Sequence, residues 1–343
     1  MNKIYQLFDQ QFVNDLFTKE ILPLYPDFKT IKTIKILPIK ENIWQSTYHV
    51  VIEFQTTFLK TDKKTKKLSV FCSAHSSEPR KNSYEALTFL WQHHFGHSRL
   101  TIPRPLFFSD SFNAVFYRGA QGKNLYYYIK QNNFTEIELI IPRVAAWFVK
   151  LHQLPTAQAK NFNEVNSRIE TVIPGIATIL SRIKTDYAQF YQAYFQIYRL
   201  INEQEKQFFK KSKNIWLIHG DAHPENVIKI SKSKLAIIDF TDICLADFAR
   251  DLGSFLQQLE FMTEPKIADP TYIEKIKNLF LINYLTKAKI KLDEGLSERI
   301  KYYYNWTALR TASFFLLKDN PEPGHAKGLI NQICQNLKID ITV

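Results

Sequence analysis

Apolar and polar residues alternate along residues 47–59, where Tyr48, Val50, Ile52 and Phe54 fall two apart, the spacing that lines one face of a strand. The flanking stretches 31–39 and 67–73 are rich in β-branched and aromatic residues, so the three together predict an antiparallel sheet. A helix-like start covers about residues 5–20, and the period changes again at residues 83–95, where Tyr84, Leu87, Leu90 and Trp91 recur near helical spacing. Short strands are expected at 106–108 and 114–117. From Leu125 onward helical patterns dominate, over 137–151, much of 176–210, 248–261, 272–287, 297–317 and 327–337, interrupted by short β-like runs between 215 and 240. The expectation is an α+β chain with a small β-rich lobe, residues 1–118, and a large mainly helical lobe, residues 119–343.

The 343 residues are long for a single core, which agrees with two lobes. Glycine changes the picture: average usage of roughly 7% would give about 24, yet the chain has 9 and the first is Gly96. A glycine-rich phosphate loop or dinucleotide fingerprint in the first 95 residues is therefore excluded. The net charge of +12 raises nucleic acid as a partner, but residues 1–120 carry 16 basic and 10 acidic side chains and the remainder carries 29 and 23, so the excess is spread evenly. The one dense run, Lys63-Lys64-Thr65-Lys66-Lys67, reads as a solvated hairpin turn, and no nucleic-acid partner is expected. Three scattered cysteines suit a reducing compartment. With Asp9 and Gln10 breaking the first apolar stretch and no 18-residue apolar run, the sequence predicts a soluble, cytoplasmic protein.

Chemistry concentrates in Leu217-Ile218-His219-Gly220-Asp221-Ala222-His223-Pro224-Glu225-Asn226, followed by Ala236-Ile237-Ile238-Asp239-Phe240. An apolar strand runs into a loop with one acid, and an amide follows that acid by five residues. This is the D-x-x-x-x-N spacing of the protein-kinase catalytic loop, where the Asp accepts the substrate hydroxyl proton and the Asn holds magnesium. If 227–230 and 235–238 pair as a hairpin symmetric about Lys232 and Ser233, Asn226 faces Asp239 at the open end. Opposed residues lie ~4.5–5.5 Å apart at Cα, which suits two oxygen ligands on one hard cation, with Mg²⁺ completing its shell from water and phosphate. Asp221 is then free to orient and deprotonate an acceptor hydroxyl. Taken singly, His219, Asp221 and Asn226 would read as turn-formers; their joint spacing favours the mechanism.

The pattern H-G-D-x-H-x-x-N at His219–Asn226, then Ile238-Asp239-Phe240-Thr241-Asp242, then Ala246-Asp247 and Asp251-Leu252, resembles the aminoglycoside phosphotransferase and choline kinase-like family. The likeness is specific over residues 217–253, with looser support from Glu85 and from a helix ending in Leu151-His152. It implies a protein-kinase-like bilobal fold that binds ATP or GTP between its lobes and transfers the terminal phosphate to a small-molecule hydroxyl (an aminoglycoside, choline or sugar-like acceptor). By that match Asp221 is the base, His219 braces the loop, and Asn226 and Asp239 are the Mg²⁺ ligands. Asp242 is a candidate at the substrate. Asp247 and Asp251 read equally as helix-capping and helix-dipole residues of a helix beginning near Phe248.

The first lobe departs from the pattern. The turn that should cover the nucleotide phosphates, 41–47, has no glycine, leaving Ser46 and Thr47 to offer hydroxyls and backbone N–H groups. The strand 68–75 lacks the lysine that such enzymes pair with a helix glutamate, here Glu85; Lys67, Arg80 and Lys81 are candidates to reach in from outside the strand. The choice of ATP or GTP rests on backbone groups around Phe116, Tyr117 and Arg118. Tyr303, Trp306 and Arg310 share one helix face and could contact the acceptor, although such a stripe also fits a core. Two readings follow: an active small-molecule kinase, or a non-catalytic kinase-like binding protein that kept the loop and lost the lysine.

Overall fold

A computed structural model describes residues 2–78 and 80–343, and the chain divides into two compact units. The first holds the residues up to Gly122 together with Ile230–Thr241; the second holds Lys123–Lys229 and Asp242–Val343. The α+β class expected from the sequence pattern is the one observed, with antiparallel strands concentrated in the first unit and helices in the second.

In the first unit, helix α1 (Gln10–Glu20) precedes strands β1 (Phe28–Ile43), β2 (Tyr48–Lys60) and β3 (Thr65–His75), helix α2 (Arg80–Leu90), and strands β4 (Leu100–Thr101), β5 (Arg104–Ser109) and β6 (Ala114–Arg118). The main sheet runs β1-β2-β3-β6-β5, antiparallel throughout. The alternating residues of β2 do face a core: Tyr48, Val50, Ile52 and Phe54 are buried, with Val70, Cys72 and Ala74 of β3 beside them. Helix α1 closes that face through Val13 and Phe17, whose ring meets Phe54 edge-on at 5.1 Å. Asp9 stops the preceding turn and starts α1 by accepting the Phe12 N–H at 2.7 Å. The lysine run lies at the β2–β3 turn, where Lys63 adopts φ +66° and the Lys60 N–H donates to the Lys64 carbonyl. The helix expected over 83–95 begins three residues earlier and stops at Leu90, because His93 and His94 leave helical geometry.

The second unit contains β7 (Lys123–Asn124), α3 (Leu125–Lys130), α4 (Phe134–His152), α5 (Ile176–Asp186), α6 (Ala188–Lys211), β8 (Trp216–Ile218) and β9 (Val227–Lys229). Strand β10 (Leu235–Ile237) belongs to the first unit, where it runs parallel to β4. The second unit resumes with β11 (Cys244–Ala246), α7 (Ala249–Thr263), α8 (Pro270–Ala288), α9 (Glu294–Leu317) and α10 (Pro323–Leu337). The helical stretch expected over 176–210 is two helices, broken at Tyr187. Strand β11 pairs antiparallel with β8 and went unpredicted, since three residues show no period. Helices α7 and α9 touch backbone to backbone at Gly253, where a Cβ would lie 2.6 Å from the Ile300 carbonyl oxygen. Among the described residues no helix is long and apolar enough to cross a membrane.

Candidate active site

In the second unit, β8 delivers the segment His219–Asn226 from a fully buried Leu217-Ile218. The loop that follows is held by one carboxylate. Asp251, on the first turns of α7, accepts the His219 N–H at 2.7 Å through Oδ2 and the Gly220 N–H at 2.9 Å through Oδ1. Its Oδ2 also lies 3.0 Å from His152 Nε2 at the end of α4, and His152 Nδ1 meets the Tyr284 hydroxyl at 2.8 Å. Burial opposes charge on Asp251, but the hydrogen bond and charge of His152, the charge of His219 and the Gly220 N–H together hold its carboxyl below the usual range.

Both acids stand at the start of α7, Asp247 before it and Asp251 in its first turn. Helix α7 starts at Ala249 with Phe248 at the cap position and no side-chain cap. Asp247 lies just outside the helix, accepting the Ala249 N–H at 3.1 Å and facing Arg299 Nε at 2.9 Å. Burial raises the Asp247 carboxyl, partly offset by the Arg299 charge. Asp251, in that first turn, serves the loop as well.

A second support works from the far side. Asn166 donates to the Asp242 carbonyl at 2.7 Å and is gripped by Arg250, which reaches both its backbone carbonyl and its Oδ1. Gly220 sits at φ +82°, and a Cβ there would lie 2.3 Å from the Asp242 carbonyl oxygen. Only glycine fits this turn, on conformation and on space. Asn166 and Arg250 had no signal in the sequence, because an Asn in a loop and an Arg in a helix are common in any role.

Within the loop, His219 is wholly buried and its Nδ1 accepts the Asp221 N–H at 3.3 Å. The Asp221 side chain remains 50% exposed, with His223 Nε2 3.7 Å from its Oδ2. Asn226 lies in a 3-10 turn opened by Pro224, and its Nδ2 donates to the Asp221 carbonyl at 3.1 Å. That bond fixes the amide so that Oδ1 is the atom left to meet a cation.

In the first unit, Asp239 follows β10 at φ +64°, a left-handed conformation that Asp tolerates better than most residues. The Thr241 hydroxyl donates to Asp239 Oδ1 at 2.9 Å. In the turn before β10 the Ile230 and Ser231 N–H groups both donate to the Lys234 carbonyl. Asn226 in the second unit offers an amide oxygen and Asp239 in the first a carboxylate, each a donor of the kind Mg²⁺ takes.

The remaining candidates lie as follows. Ser46 and Thr47 are exposed at the β1–β2 turn, which the Trp44 N–H closes onto the Thr47 carbonyl at 2.9 Å. Glu85 is half-buried on α2. Phe116 is in the core, stacked on Phe107 at 4.2 Å, so only its backbone is available to a ligand. Tyr117 stacks on Phe71, and burial, then the Asp239 charge, raises its hydroxyl. Tyr303 and Trp306 are buried in the second unit, with the Tyr303 hydroxyl donating to Glu205 at 3.1 Å and Trp306 packed near Tyr198. These two rings therefore pack as core. Arg310 donates to the Ile173 and Pro174 carbonyls, and burial lowers the pKa of its guanidinium, partly offset by Tyr194, Asp242 and Asp221.

Around Arg80 the first unit gathers unusual charge. His49 and His75 meet ring to ring at 4.7 Å, and His75 Nε2 lies 3.4 Å from Glu78. Burial, then the charges of Lys40 and Arg80, lowers His49 to about 4. The unfolded chain takes up that proton near pH 6.5, so stability falls as pH drops from about 6.5 towards about 4. His49→Gln is expected to flatten this part of a melting-temperature series against pH.

The model of the phosphotransferase enzyme family matches residues 45–284. Among solved structures, the chain is similar to the choline kinase LicA of Streptococcus pneumoniae at 13% identity, over 96% of this chain and 98% of that one, with TM-score 0.56. It is similar to spectinomycin phosphotransferase APH(9)-Ia, solved with ADP and spectinomycin, at 14% identity over 96% and 98%, TM-score 0.53. An ethanolamine kinase of Plasmodium vivax matches at 14% identity over 83% and 79%, TM-score 0.52. A search of curated protein sequences finds no match.

Proposed function

Because the chain belongs to the phosphotransferase enzyme family, we propose that it is an active, Mg²⁺-dependent kinase that moves the terminal phosphate of ATP or GTP to a hydroxyl of a small molecule. The observation that carries this reading is the state of Asp221: a half-exposed carboxylate on a loop whose backbone is pinned by buried groups. Rigid backbone with an accessible base is what positioning catalysis requires. Asp221 would accept the proton of the acceptor hydroxyl, and His219 holds its backbone. Asn226 and Asp239 would hold the metal, which supplies charge neutralisation at the phosphate oxygens.

The similar structures include enzymes named for choline, ethanolamine and spectinomycin, so an amino-alcohol or aminoglycoside hydroxyl is the acceptor class to test. The carboxylate of Asp242 suits a cationic acceptor. Three buried free cysteines and the need for nucleoside triphosphate favour a cytoplasmic setting. The missing strand lysine favours the second reading, a nucleotide-binding protein without turnover.

A thermal-shift panel of ATP and GTP, with and without Mg²⁺, followed by transfer assays on amino-alcohols, aminoglycosides and sugars, tests the proposal. A Mg²⁺-dependent rise in Tm with one nucleotide, and phosphorylated product from one acceptor class, are expected. The absence of both stabilisation and transfer would overturn it.

A further inference from the structure

We propose that Arg80 supplies the phosphate-orienting cation that β3 lacks, with Glu78 as its carboxylate partner; this rests on the phosphotransferase reading above. Strand β3 has no basic residue after Lys67, and Lys66 and Lys67 are exposed at its start. Arg80 is the first residue of α2, five positions beyond the end of β3, and its side chain is only 7% exposed. A buried guanidinium is costly unless its N–H groups are matched. Glu78 Oε2 takes one of them at 2.8 Å, and the Thr241 hydroxyl takes another at 2.7 Å. Among the described residues Arg80 Nε is buried without a partner. The charge is therefore anchored at one end and still has donor capacity, which a planar guanidinium directs well at phosphate oxygens.

The Thr241 contact says where that capacity lies. A hydroxyl has one proton, and Thr241 gives it to Asp239 Oδ1, so toward Arg80 its oxygen can only accept. The chain Arg80 to Thr241 to Asp239 sets the cation one hydroxyl away from the carboxylate assigned to the metal. A nucleotide phosphate held by that metal would meet Arg80 as its protein counter-charge. The strand-lysine and helix-glutamate pair of kinases is thus rebuilt at the β3–α2 junction, on the carboxylate of Glu78 instead of Glu85. A guanidinium also takes up more room than an ammonium, and its approach from the helix start leaves β3 free to carry small and apolar residues.

The discriminating experiment is calorimetric titration of the full-length protein with MgATP and with adenosine, which has no phosphate to contact. For Arg80→Met, MgATP affinity is expected to fall at least about tenfold, the size of a lost charge-assisted hydrogen bond, while adenosine affinity changes by less than about twofold. Arg80→Lys should restore part of the loss. Equal losses for both ligands would mean that Arg80 merely clamps the start of α2, and no loss for either would remove its role altogether; both outcomes overturn the proposal while leaving the kinase reading standing. If Arg80→Met does not fold, Arg80→Lys and Glu78→Gln carry the test, each expected to weaken MgATP selectively, and wild-type affinity in both overturns it. Absence of nucleotide binding and turnover in the unaltered protein would overturn both readings together.

Discussion

Asp221→Ala is expected to lower kcat for phosphate transfer by about 10²- to 10⁴-fold, the span typical of a lost general base, while nucleotide affinity stays near that of the unaltered protein. The separation follows from position. Asp221 is half-exposed and its side chain supports no buried network; the bonds that hold the loop run through its backbone N–H and carbonyl, which alanine retains. Folding should therefore survive, and the change should appear in turnover. Asp221→Asn keeps the shape and removes the proton acceptor, so it should behave the same way. The two readings of the function divide here, because a kinase-like binding protein has no turnover to lose. Measured kcat for both variants, beside calorimetric nucleotide affinity, decides between them.

Asp251→Ala is expected to have the larger effect on stability. One wholly buried carboxylate satisfies the His219 N–H, the Gly220 N–H and His152. Truncation strands two backbone donors and an imidazole in a site that water does not reach. Leaving buried groups unmatched in this way costs about 3–5 kcal/mol, which lowers Tm on the order of 10 °C. Turnover should fall as well, since Asp221 follows directly on the freed backbone. Asp251→Asn retains one acceptor oxygen and should lose less. The pH dependence has a definite sign: the Asp251 carboxyl sits below its ordinary value when folded, so its contribution is complete above about pH 4 and disappears as pH falls through the folded value. Urea unfolding of the parent and both variants between pH 7 and pH 3 measures the magnitude and the slope together.

Much of the candidate site could be read directly from the chain. His219, Gly220, Asp221 and Asn226 lie within eight consecutive residues, and short-range spacing survives any arrangement of the rest of the fold. The alternation in β2 was equally legible, because a strand with one buried face repeats that fact at every second residue. Boundaries were less so. The break at Tyr187 between α5 and α6 and the end of α2 at Leu90 depend on local backbone geometry that the apolar period does not encode. The aromatic stripe on α9 showed the ambiguity of helical spacing: Tyr303 and Trp306 have the periodicity of a ligand face and the burial of a core.

The supports of the loop were out of reach for a different reason. Asn166 and Asp251 hold loop backbone groups, and Arg250 and His152 hold those two in turn across as many as 99 residues of sequence; no local pattern records a partner so distant. Asp251 was visible in the sequence pattern and at the start of α7, but its bonds to the His219 and Gly220 N–H groups were not.

The glycine shortage shows the same division. From the sequence it followed that no glycine-rich lid covers the phosphates and that β3 has no lysine, because absence of a residue type needs no coordinates. Which cation stands in for that lysine was left among Lys67, Arg80 and Lys81. Only the tertiary structure singles out Arg80, by burying its guanidinium against Glu78 and Thr241, the latter 161 residues away. Sequence determined the residues that can do the chemistry, since acidity, donor count and short spacing are properties of the chain itself. Folding decided which buried groups hold the loop and which cation lies beside Asp239, because that depends on contacts between distant segments.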